Sequence, residues 1–99
     1  MDNKEFIEKA IDMVIEYYNS KVELSYYNQI NEMDVNMIRF DNSLGNYEAF
    51  FSVNYNDELY YNVVYNMRDD KFYFHVYQKL DYQEYTNRDD ILWVHMKKN

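Results

Sequence analysis

The sequence has no cysteine, no proline and a single glycine, Gly45. Without cysteine there is no disulfide framework, no thiolate metal site and no thiol nucleophile, which suits a reducing compartment. One glycine cannot build a P-loop or a dinucleotide-binding turn, because both need several at fixed spacing. Histidine is almost as scarce, with His75 and His95 alone. The serines Ser20, Ser25, Ser43 and Ser52 have no nucleophile-elbow context. No apolar run approaches the roughly 18 residues that span a bilayer. The charged start, Met-Asp-Asn-Lys-Glu, has no apolar segment behind it of the kind a signal peptide carries. These absences lead us to expect a cytoplasmic protein that is not an enzyme and holds no cofactor.

Bases are also few. Ten Lys and Arg stand against eighteen Asp and Glu, a formal charge of −8. Such a surface repels phosphate backbones and anionic membranes, so the expected partner is a basic protein, with no direct nucleic-acid or membrane contact. The same charge also keeps any small protein soluble. Hydrophobic residues make up 47% of the chain and aromatic residues 20%, too much for a solvated disordered segment. The mean hydropathy of −0.78 is lowered by thirteen Tyr, whose rings are buried readily once each hydroxyl has a partner. Residues 1–99 make one domain's length of chain. Asn, Tyr, Lys, Ile and Asp abound while Ala is rare, a composition that fits an AT-rich genome such as that of a phage or mobile element.

From Asp2 to Ser20, Phe6, Ile7, Ala10, Ile11, Val14 and Tyr18 recur at spacings of three and four, which predicts an amphipathic helix. Asp2 or Asn3 caps it, and Asn19 and Ser20 weaken its end. Ser25–Met33 reads as a short helix capped by Ser25. The period then changes to two. Met37–Phe40, Ala49–Asn54, Leu59–Asn66, Lys71–Lys79 and Ile91–Lys97 read as strands, with turns at Asp41–Asn46, Asn56-Asp57 and Arg68–Asp70. The longer link, Leu80–Asp90, extends the last hairpin. The expected fold is therefore α+β: an N-terminal helix packed on one face of a four- or five-stranded antiparallel meander. That layout is similar to cystatin-like architecture, without any motif in common.

Two features point to a binding surface. Glu8, Asp12 and Glu16 are four residues apart, so they line one side of the helix at about 6 Å intervals, close to the phosphate spacing of a nucleic-acid strand. Like charges at this spacing cost a few tenths of a kcal/mol per pair. An ordinary solvated helix face would also carry them. In a meander, alternate turns share an end, which gathers Asp41, Asp69 and Asp70 at one end and Asp57, Glu58, Asp81, Glu84, Asp89 and Asp90 at the other. Tyr55, Tyr60, Tyr61, Tyr65, Tyr73, Tyr77, Tyr82 and Tyr85 crowd the sheet, more than one face can bury, and tyrosine among acids suits a protein interface. Glu8, Asp12, Glu16, Asp57, Glu58, Glu84, Asp89, Asp90, Tyr60, Tyr82 and Tyr85 are the candidate contact residues. His75, between Tyr73 and Tyr77, reads as structural. The pairs Asp69-Asp70 and Asp89-Asp90 fit turn preference, and no metal site is expected.

In net charge, acidic stripe and tyrosine content the chain resembles phage-encoded inhibitors such as anti-CRISPR proteins and DNA mimics. The resemblance implies a small inhibitor that occupies a basic, nucleic-acid-binding surface of its target, such as a nuclease. An immunity protein or antitoxin against a basic toxin shares every one of these features. A third reading is a small-molecule-binding or catalytic domain, with a deep pocket of converging polar groups between helix and sheet and His75 or His95 inside it. A homodimer through the edge of the last strand is a further expectation, since little but Lys97 and Lys98 blunts it.

Overall fold

The computed structural model describes residues 1–21, 29–54, 59–79 and 85–89. Asp2 opens a 19-residue helix, α1 (Asn3–Lys21). Its Oδ1 accepts the Glu5 N–H at 2.8 Å, one of the amides that helix geometry leaves without an internal partner. The helix continues through Asn19 and Ser20, whose side chains take structural roles rather than ending it early. Ser20 Oγ donates to the Tyr17 carbonyl at 2.7 Å. Asn19 grips the main chain of Ile30, accepting its N–H at 2.8 Å and donating to its carbonyl at 3.1 Å.

The short helix expected over Ser25–Met33 is corrected in its described part. Residues 25–28 lie outside the described residues, and Gln29–Asn31 are not helical. Only a 3-10 turn forms, at Glu32–Asp34. Asn31 caps it reciprocally: its Oδ1 accepts the Met33 N–H at 2.9 Å, and Asp34 Oδ2 accepts the Asn31 N–H at 3.0 Å. A box closed over three residues satisfies the free amides at once and lets the chain become extended at Val35.

Five strands follow: β1 (Val35–Ser43), β2 (Asn46–Val53), β3 (Leu59–Asn66), β4 (Lys71–Lys79) and β5 (Tyr85–Asp89). They form one antiparallel sheet in sequence order. β1 is longer than the sequence indicates. Asp41, Asn42 and Ser43 are not turn residues but pair with Glu48, Tyr47 and Asn46. The turn is Leu44-Gly45 alone, with φ of +47° and +84°, the mirror-image geometry whose twist suits a two-residue hairpin. The turn after β3 lies at the same end, where the Met67 N–H donates to the Gly45 carbonyl at 2.9 Å. β5 arises within the stretch read as a link, and it pairs with β4 through a register shift between Val76 and Tyr77. The strand expected at Ile91–Lys97 lies outside the described residues.

Period-two alternation decides which side chains meet the helix. Tyr47, Ala49, Phe51 and Val53 of β2, Tyr61, Val63 and Tyr65 of β3, and Phe72, Phe74 and Val76 of β4 are buried with α1. Tyr61 and Tyr65 are therefore core residues, not interface tyrosines: Tyr61 packs edge-on to Tyr17 and Tyr65 donates its hydroxyl to Asp70. On α1 the buried line is Phe6, Ala10, Met13, Val14 and Tyr17, whereas Ile7, Ile11, Ile15 and Tyr18 are only partly covered. The apolar arc is wider than the contact, and the sheet meets its centre. Phe6 stacks on Tyr47 and Phe72 with centroids 5.2 and 6.2 Å away, and Tyr17 lies 5.3 Å from Phe74. One face of the sheet is thus filled by rings from both layers. No helix among the described residues is long and apolar enough to cross a membrane.

Candidate functional site

Packing α1 through Phe6, Met13 and Tyr17 turns its acids outward. Glu8, Asp12 and Glu16 are all exposed, and none of them forms an ion pair among the described residues. Glu5, exposed and three residues before Glu8, extends the line toward the helix start. The 3-10 turn adds Glu32. Because Asn19 holds Ile30 against the helix, Asp12 and Glu32 line one groove of about 400 Å³, together with Ile15, Ile30, Asn31 and Met33. Carboxylates beside an apolar floor match the chemistry of a lysine or arginine side chain, whose stem is apolar and whose tip is cationic.

The sheet face away from the helix carries different chemistry. Ile38, Arg39, Phe50, Tyr60 and Tyr77 line a cleft of about 580 Å³. The Arg39 guanidinium sits over the Phe50 ring at 4.8 Å, and its Nε lies 3.3 Å from Asp41 Oδ2. Phe50 and Tyr77 are tilted neighbours with centroids 6.5 Å apart. Beside the cleft, Asn62 is 97% buried because it is only 3% exposed. Its Nδ2 donates to Glu48 Oε2 at 3.0 Å and to the Ala49 carbonyl at 3.3 Å. Its Oδ1 therefore faces His75 Nδ1, 3.3 Å away, and that nitrogen must carry a proton to complete the bond. The row Glu48–Asn62–His75 orients the imidazole on the strand.

The expected contact residues whose side chains are described fall on two faces. Glu8, Asp12 and Glu16 come together on α1. Tyr60 stands on the opposite face of the sheet, in the cleft. Asp89 and Tyr85 belong to β5, opposite Val76 and Lys79. Asp57, Glu58, Tyr82, Glu84 and Asp90 lie outside the described residues, as do His95 and Tyr55. Asp70, at φ +55°, accepts the Tyr65 hydroxyl, a structural use for one of the paired aspartates. With the neighbouring carboxylate as its main cause and burial as the next, the Tyr65 phenol is pushed up to about 12. No three metal-ligating side chains converge among the described residues.

Sequence reasoning missed Glu32, Arg39 and Phe50 as surface groups and left Tyr77, one of the tyrosines crowding the sheet, out of the candidate contact residues. Phe50 and Tyr77 were findable, since both fall at positions alternating with buried neighbours. Glu32 was not, because only the Asn19–Ile30 clamp brings it to Asp12.

The class of protein defined by this geometry is a small α+β domain with an acidic helix face and an aromatic cleft on the reverse of its sheet. Residues 7–87 match a family of unknown function (DUF6275), and the chain belongs to that family. No curated protein and no solved structure matches it.

Proposed function

We propose that this chain is a non-enzymatic protein-binding domain that engages a basic partner through the outer face of α1. In this reading it inhibits the partner by covering a surface that otherwise holds nucleic acid, as a phage or mobile-element product would inhibit a host nuclease in the host cytoplasm. The observation that carries the reading is the exposed line of Glu8, Asp12 and Glu16, which forms no ion pair among the described residues and is joined by Glu32 across the groove beside Asp12. Carboxylates repeating at about 6 Å on a rigid helix present charge in the rhythm of a strand of phosphates. A net charge of −8 steers cationic partners toward that face. An antitoxin against a basic toxin uses the same surface and differs only in the partner captured.

The test is affinity capture followed by identification and reconstitution with the purified partner. The expected partner is basic, and its affinity falls steeply as salt rises. Replacing Glu8, Asp12 and Glu16 together by lysine lowers affinity at least tenfold, since each rim charge contributes on the order of 0.5 kcal/mol and reversal doubles the loss. Because the three positions are exposed, the variant keeps its circular dichroism. Undiminished binding by the variant would end this reading.

The cleft at Phe50 and Tyr77 favours a second reading, a site for a small apolar ligand, because its volume and mainly apolar lining fall within the range of such sites. The two readings separate cleanly. If the second holds, Phe50→Ala removes binding of the ligand and the helix variant leaves it intact.

A further inference from the structure

β1 is one edge of the sheet. It is nine residues long. Edges of this length usually carry charge or are covered, because their free backbone groups template further pairing. Here the exposed large hydrophobic side chains concentrate instead. Of six among the described residues, Met37 and Ile38 lie on β1 while Met33 and Leu44 flank its ends, with exposures from 46% to 102%. Leu44 is fully exposed although it occupies a left-handed backbone position that leucine rarely takes. Phe40, between them, is only half-buried against Phe6 and Tyr47.

We propose that β1 pairs antiparallel with β1 of a second copy of this chain, about a two-fold axis at Phe40. The charges on the strand select that register. Arg39 and Asp41 flank Phe40 on the sheet face away from the helix, and both side chains are 58% exposed. With the axis at Phe40, Arg39 of each copy stands opposite Asp41 of the other, and the two intramolecular pairs become an alternating quartet. An axis at Asp41 sets two carboxylates face to face beside Glu48, and an axis at Arg39 sets two guanidiniums face to face. Only the middle register is self-complementary, as an isologous interface must be. It also lays the two Phe40 rings side by side and brings Leu44 alongside Asn36 and Met37 of the second copy. The bulge that displaces Ile38 between Met37 and Arg39 ends the regular stretch on either side of the axis. The result is one continuous sheet of two copies with both α1 helices on the same face.

Sedimentation equilibrium of the full chain tests this, with a species of twice 12.4 kDa expected as concentration rises. Asp41→Lys and Arg39→Asp each weaken the dimer by about tenfold or more, and the double exchange of Arg39→Asp with Asp41→Arg restores it. Because the chain lacks cysteine, register is read directly. An oxidised mixture of Arg39→Cys and Asp41→Cys chains gives the mixed disulfide in preference to either homodimer. A chain that stays monomeric overturns the proposal, with the bulge then acting to blunt the edge. A dimer indifferent to Asp41→Lys overturns it too, since another face would be in use.

Discussion

The Tyr65 hydroxyl and the Asp70 carboxylate show how much one buried contact links structure to pH. The phenol ionises near 10 in an unfolded chain but only near 12 here. Between those values the unfolded chain binds fewer protons than the folded one, so stability falls as pH rises. The contribution is complete below pH 10 and is lost progressively as pH climbs through 12. Tyr65→Phe is expected to cost about 1 kcal/mol at neutral pH through the lost hydrogen bond, and to flatten the decline between pH 10 and 12. Urea denaturation of both proteins at pH 8 and pH 11 checks it; parallel losses in the two would contradict the assignment. This contact was invisible in the sequence, where Tyr65 was one of eight tyrosines crowding the sheet and Asp70 a generic turn residue. Alternation placed Tyr65 with Val63 and Tyr61, but nothing local shows that a turn carboxylate reaches back over the ring.

Elements were legible where a period persists and misread where a single bond decides. The repeat from Phe6 to Tyr18 identified α1, and alternation identified β2, β3 and β4 without saying which of their two faces is inner. Asp41–Asn46 looked like a turn by composition, yet pairing with Glu48, Tyr47 and Asn46 overrode it and confined the turn to two residues. Those two positions make opposite predictions. Leu44→Asn is expected to raise stability by about 1 kcal/mol, because asparagine tolerates the left-handed region that leucine resists. Gly45→Ala is expected to lower it by about 1–2 kcal/mol for the same conformational reason. Sterics are not the cause, since an added Cβ would meet Met67 Cβ at an ordinary 4.0 Å. Denaturant melts in the Asp41→Lys background, where edge pairing is removed, isolate the turn itself. Equal and small effects at both positions would show that the turn conformation is not strained.

At the scale of the whole molecule, the order of periods foretold a helix on an antiparallel sheet but not how its surface divides. Glu8, Asp12 and Glu16 were legible as one line because helix spacing is fixed. That Tyr60 would stand on the reverse face followed only once Tyr61 was known to meet Tyr17. Of the expected contact residues whose side chains are described, Glu8, Asp12 and Glu16 share one surface and Tyr60 stands on another.

One end of the molecule is fastened across three elements. There the Tyr47 hydroxyl holds the Met1 carbonyl at 2.6 Å, Asn42 reaches Asn3 at 2.7 Å, and Met67 is bonded to Gly45. Helix start, first hairpin and third turn are fastened to one another, while the far end of β2 is held separately by the Asn54 N–H on the Asp34 carbonyl at 2.9 Å. Amide exchange in deuterated water is therefore expected to quicken at Tyr47 and Tyr65 in Tyr47→Phe while Val53 keeps its rate, and a uniform rise along β2 would show that the two ends open together.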